Sequence, residues 1–164
     1  EFPKKSIDIK QPYILFYYCE KLPKKIKQQI FQYAKTNGLK VYGAGECDKE
    51  YSDITVDITP FEWVAMFQNA EYVFTGTFHG AVFSIINRKP FNVYLTNQSR
   101  IKKVKALLAD LNIQNREITK NYKFDLEKMR HEIDYDATFQ KIESKRKESL
   151  NFIKNAIEKK SEEL

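Results

Sequence analysis

Short β-prone apolar runs alternate along this chain with stretches whose apolar side chains recur at helical spacing, and that alternation restricts the fold more than any other feature. Tyr13-Ile14-Leu15-Phe16-Tyr17-Tyr18 is continuous, as expected of a strand buried on both faces. Ile26, Ile30, Phe31 and Ala34 then follow a helical period that Asn37-Gly38 ends. Leu39 to Tyr42 predicts a second strand and Ile54 to Val56 a short third. Thr59-Pro60-Phe61-Glu62 predicts a helix start: Thr59 caps, Pro60 suits the first helical position and Glu62 closes a capping box. Pro60, Trp63, Val64 and Phe67 are its expected buried stripe. Tyr72 to Thr75 predicts a strand, and Phe78, Ala81, Val82, Ile85 and Ile86 an amphipathic helix. Phe91 to Tyr94 adds a strand, and Ile101, Val104, Leu108 and Leu111 a further helix. Strands and helices in this rhythm imply a parallel sheet with crossover helices, an α/β, Rossmann-like layered domain.

The last segment departs from the rhythm. Residues 135–164 contain no glycine or proline, and Phe139, Ile142, Leu150, Ile153 and Ile157 keep helical phase. The expected division is therefore a Rossmann-like domain over 1–134 and a long C-terminal helix over 135–164, which need not dock wholly on so small a domain and can pack back on a missing N-terminal half. The numbering opens at Glu1 and the first methionine is Met66, which suggests a piece of a longer protein.

Composition removes several function classes. The 28 Lys and Arg against 22 Asp and Glu give +6, but residues 1–40 hold nine basic and three acidic groups, which is the whole excess. With no basic face beside aromatic or groove-reading motifs, nucleic acid is not an expected partner. No apolar run approaches the roughly 20 residues of a membrane span, and the polar opening Glu1 to Lys5 does not lead one to expect a signal peptide. Cys19 and Cys47 make neither a disulfide framework nor a metal signature, so a reducing, cytoplasmic setting is expected. The lysines near the start leave room for peripheral contact with the inner face of the membrane.

In open α/β sheets, ligands bind where strand carboxyl ends lead into helix N-termini, which directs attention to Thr75-Gly76-Thr77-Phe78-His79-Gly80. Gly76 permits a sharp turn, Thr77 can cap, His79 falls in the first helical turn, and Gly80 lets backbone approach a ligand. Free amides and the helix dipole there attract phosphate or carboxylate. A glycine turn, a capping threonine and one histidine are also ordinary structural furniture; location on the ligand edge favours function. His131, among Lys128, Arg130 and Glu132, reads as solvated. Arg100 precedes the next predicted helix, where the dipole disfavours a cation unless an anion binds; Lys102 and Lys103 are weaker versions of the same idea. Gly43-Ala44-Gly45 reads as a turn that lacks the third glycine of a dinucleotide fingerprint, and Tyr18 to Lys21 could line the cleft.

The stretch from Thr59-Pro60-Phe61-Glu62-Trp63 through Asn69-Ala70-Glu71 and Thr75-Gly76-Thr77-Phe78-His79-Gly80 to Lys89-Pro90-Phe91 resembles the polysaccharide pyruvyl transferase family, and Ser99-Arg100-Ile101, Leu107-Leu108 and Arg146 to Leu150 resemble its closing segment. The resemblance implies the C-terminal half of a GT-B-like fold of two Rossmann-like domains, with the active site in the cleft between halves and the N-terminal half missing here. It implies transfer of pyruvate from phosphoenolpyruvate to a pair of sugar hydroxyls as a ketal during surface-polysaccharide synthesis. The donor is a substrate and no cofactor is expected; the acceptor is a sugar or lipid-linked oligosaccharide. It places His79 in catalysis; Gly76, Thr77, Phe78, Gly80 and Arg100 are expected to bind substrate. Thr77 stands where many members have Arg and others Ser, so neutralisation of the donor's charge falls to Arg100 or to an arginine of the other half. Two other readings stay open: a glycosyltransferase half that binds a nucleotide sugar, and a non-catalytic interaction module built on the long helix.

Overall fold

The computed structural model describes residues 9–17, 22–44, 54–56, 59–96, 98–118, 125 and 133–162, with backbone alone for 54–56, 98–100 and 159–162. Its strands are β1 (Tyr13–Tyr17), β2 (Lys40–Ala44), β3 (Ile54–Val56), β4 (Tyr72–Thr75), β5 (Phe91–Tyr94) and β6 (Glu117–Ile118). Its helices are α1 (Lys24–Thr36), α2 (Pro60–Asn69), α3 (Phe78–Ile86), α4 (Gln98–Asp110) and α5 (Tyr135–Glu162). All six strands join one sheet in the order β3-β2-β1-β4-β5-β6, and every neighbouring pair is parallel. This is the doubly wound Rossmann order, in which the direction of winding reverses between β1 and β4.

Two apolar layers follow from the pleat, because successive strand side chains face opposite ways. On one face, Ile14, Phe16, Tyr72 and Phe74 meet Ile26, Ile30 and Ala34 of α1. On the other, Leu15, Val73, Phe91 and Val93 meet α2, α3 and α4 through Phe67, Ala81, Ile85, Val104 and Leu108. β1, β4 and β5 are therefore buried on both sides, as the continuous run at β1 required.

Several details differ from the sequence expectations. The segment Gly43-Ala44 is not a turn: it pairs with Phe16 on one side and with Thr55 and Val56 on the other, so β2 runs two residues further. Central ladder bonds on both edges hold it extended, although glycine has no strand preference of its own. Pro60 is exposed, and Val64, Ala65, Met66 and Phe67 carry the burial of α2. In α3 the buried side is Gly80, Ala81, Ser84 and Ile85, while Ile86 is 47% exposed. Ser84 can turn inward because its hydroxyl donates to the Gly80 carbonyl at 2.7 Å. The capping box of α2 is as expected: Glu62 N–H donates to Thr59 Oγ1, and the Thr59 N–H to the Glu62 carboxylate. The sixth strand, β6, had no sequence signal, being two residues long after a single 3₁₀ turn.

The first turns of α5 are fastened to the rest of the domain. The Tyr135 hydroxyl donates to the Lys89 carbonyl, Arg88 pairs with Asp136 at 2.9 Å and lies 4.7 Å over the Phe139 ring. Thr138 is buried and Lys145 pairs with Asp110 of α4 at 2.9 Å. Beyond that, Leu150, Phe152, Ile153 and Ile157 are 52–75% exposed. No helix among the described residues is long and apolar enough to cross a membrane.

Two tyrosines tie the fold to pH. Burial, reinforced by neighbouring Tyr42, raises the Tyr13 phenol well above its usual 10.0, and its hydroxyl donates to the Met66 carbonyl at 2.9 Å. Burial raises Tyr135 likewise, against the smaller opposing effects of the Arg116 and Arg88 charges. The folded chain keeps both protons where the unfolded chain has lost them. Their stability contribution is therefore complete below about pH 10 and is lost as pH rises toward the raised folded values, by up to about 1.4 kcal/mol per pH unit for each tyrosine. Urea melts from pH 9 to 11.5 should show this alkaline decline, and a Tyr13→Phe/Tyr135→Phe double variant should show a flatter one.

Candidate active site

β4 is buried along its whole length and reaches the carboxyl edge of the sheet beside β1, at the point where the winding reverses. The two strands stay joined to the end, with the Gly76 N–H donating to the Tyr17 carbonyl at 3.3 Å. Thr77 is extended (φ −127°, ψ 156°) and caps α3, its Oγ1 accepting the Gly80 N–H at 2.9 Å. Thr75, fully buried, accepts the Thr77 N–H on its own Oγ1 at 3.2 Å. Strand, turn and helix are thus locked by side-chain hydroxyls at both ends of the turn.

Gly80 has a specific reason to be glycine. A Cβ there would lie 2.0 Å from Thr75 Oγ1 and 2.7 Å from Thr75 Cβ, so α3 can seat on β4 only without a side chain. The space beside Gly80 is filled by Thr75, which makes the close approach one of helix on strand.

The amides left free matter for chemistry. Among the described residues, no hydrogen-bond partner is present for the Phe78 and His79 N–H groups, and the first turn of α3 holds no acidic residue. His79 itself is exposed, its ring 6.1 Å from that of Phe78 at 85°. Phe78 turns the other way, its ring half-buried against the α2–α4 layer. One turn therefore brings together an exposed imidazole, two unused amides and a positive helix end, a combination suited to an anion and a proton transfer.

Arg100 does not precede its helix. α4 begins at Gln98, so Arg100 is the third helical residue and lies within the first turn. Its side chain lies outside the described residues; Lys102 and Lys103 are exposed. Tyr18 to Lys21, Gly45, Cys19, Cys47 and His131 also lie outside the described residues. An open cavity of about 610 Å³ is lined by Phe31, Lys35, Gly38, Leu39 and Lys40. It sits at the amino end of β2, the opposite edge from His79, and has no part in this site.

Sequence reasoning missed two features around the turn. One is Thr75, whose hydroxyl organises Thr77; a lone threonine closing an apolar strand was the available signal. The other is an aromatic cluster below His79: Phe83, one helical turn on, lies 4.5 Å from Trp63, and Trp63 lies 5.0 Å from Tyr17 at the end of β1. The Trp63 Nε1 is buried with no acceptor among the described residues.

Comparison with known proteins supplies the family. The model of the polysaccharide pyruvyl transferase family matches residues 1–99, a span that contains β1 to β5, α1 to α3 and the whole Thr75–Gly80 turn. No curated protein matches the chain in a sequence search. With the matched span covering more than half of the sequence and ending beyond the candidate turn, the chain belongs to the polysaccharide pyruvyl transferase family.

Proposed function

We propose that this chain forms one wall of a transferase site that moves pyruvate from phosphoenolpyruvate onto two hydroxyls of a sugar acceptor as a ketal. One observation carries the reading: an exposed histidine stands on the free amides of a helix N-terminus at the reversal point of the sheet, within the span that matches the family. The Phe78 and His79 amides receive the donor's phosphate or carboxylate. The His79 imidazolium gives its proton to the donor's methylene carbon, which becomes the methyl group and leaves C2 electrophilic. One sugar hydroxyl adds to C2; the second replaces phosphate and closes the ketal. Of the two hydroxyl hydrogens lost, one restores the proton given by His79 and the other leaves with phosphate. The helix end and the imidazole need no metal for this, and the donor is consumed as substrate.

A cleft enzyme needs both walls to position its reactants. The exposed distal face of α5 continues the stripe that docks on the domain through Tyr135, Thr138 and Ile142. In this proposal that face packs on the other half of the same protein. Ile153→Asp/Ile157→Asp should then lower the melting temperature of the full-length protein by several degrees, and an unchanged melting temperature would remove the packing partner.

The direct test is a thermal-shift comparison of the full-length protein with phosphoenolpyruvate and with nucleotide sugars. Stabilisation by phosphoenolpyruvate supports pyruvyl transfer. Stabilisation by a nucleotide sugar alone replaces it with glycosyl transfer, and no response to either favours the interaction module.

A further inference from the structure

The hydroxyls of Thr75 and Thr77 have two hydrogens and a single contact that can use one. Thr75 Oγ1 accepts the Thr77 N–H, and Thr77 Oγ1 accepts the Gly80 N–H. The two oxygens lie 3.3 Å apart and share one O–H···O bond, in which either can donate. No other partner of either hydroxyl is present among the described residues, so one O–H remains unused.

Burial decides which one. Thr75 is 0% exposed and Thr77 is 8% exposed. Were Thr77 to donate to Thr75, the surplus hydrogen would be sealed in the core with no acceptor, an arrangement that native interiors avoid. Thr75 therefore donates to Thr77, and the unused hydrogen is left on Thr77, the less buried of the two. Thr77 is the cap of the same helix whose Phe78 and His79 amides are free.

We infer that Thr75 is a positioning residue: by donating to Thr77 it commits the Thr77 hydroxyl to act as a third hydrogen-bond donor toward a bound phosphate or carboxylate. This deepens the proposed function and rests on it for the identity of the anion. It also explains how a neutral residue serves where an arginine is common. Recognition here runs through a directional cluster of one O–H and two N–H groups in place of a charge, and Gly80, closed against Thr75, keeps the cluster from shifting.

The test uses the full-length protein and direct titration of inorganic phosphate and of phosphoenolpyruvate, with the melting temperature followed in parallel. Thr75→Val keeps the shape and removes the hydroxyl, Thr75→Ser keeps the hydroxyl, and Thr75→Cys keeps the volume with a weak donor should valine prevent folding. The expected result is an affinity for both anions about tenfold weaker in Thr75→Val or Thr75→Cys, a change of the size of one hydrogen bond to a charged group. Thr75→Ser should restore affinity to within about twofold of the parent. Unchanged affinity in a folded Thr75→Val or Thr75→Cys protein overturns the inference, as does a serine variant no better than valine. A parent that binds neither anion overturns it together with the proposed function. If phosphate binds and weakens on Thr75→Val while phosphoenolpyruvate is not bound at all, the positioning role stands and the pyruvyl donor falls.

Discussion

Replacing His79 with Ala in the full-length protein is expected to lower kcat for ketal formation by roughly 10²–10⁴-fold, the range usual for loss of a positioned general acid. The donor KM should change far less, because the Phe78 and His79 amides and the Thr77 cap belong to the backbone and to another side chain. The imidazole is exposed, with the Phe78 ring 6.1 Å away at its edge, so the melting temperature should remain near that of the parent. A split of this kind, in kcat and neither in KM nor in stability, is what separates a proton donor from a residue that merely shapes the turn. Retention of full activity would end the catalytic role of His79 and leave the turn as an anion site alone.

The second large effect is structural. Gly80→Ala places a methyl group 2.0 Å from Thr75 Oγ1, well inside any tolerable contact. The neighbour is a fully buried side chain on a central strand and cannot swing away. Overpacking of this sort costs about 1–3 kcal/mol, or a fall of roughly 2–12 °C in melting temperature for a domain of this size. Relief of the strain must lift α3 away from β4, which also misplaces Thr77 and His79, so activity should fall with stability. Adding Thr75→Ala removes the nearest atom but leaves the contact with Cβ at 2.7 Å. The double variant should therefore recover part of the stability and little of the activity. A Gly80→Ala protein as stable as the parent would show that α3 does not seat as closely as described.

Much of this architecture was legible because its signals are local. The capping box at Thr59 and Glu62 is a four-residue pattern, and it formed as read. The helix stop at Asn37-Gly38 needed a left-handed residue, and Gly38 adopts φ 64°. The errors arose where a distant neighbour decided. Gly43 and Ala44 look like a turn in isolation, yet β1 and β3 hold them in the ladder from both sides. Ser84 looks polar, yet it is fully buried once its hydroxyl is satisfied by Gly80, and Ile86 is left facing outward in its place. β6 had no periodic signature at all and exists through its pairing with β5.

The candidate site divides along the same line. From the order of residues alone came the parallel α/β layering, the capped turn after Thr75 and the position of His79 at a helix start, because strand continuity, helical period and capping chemistry act within a few residues. The tertiary structure alone decided that this turn lies at the reversal between β1 and β4 and that Gly80 is closed against Thr75, with a hydroxyl contact from Thr75 to Thr77. Those outcomes depend on which strands become neighbours and on hydrogen bonds counted across them, and contacts between residues far apart in sequence leave no local pattern to read.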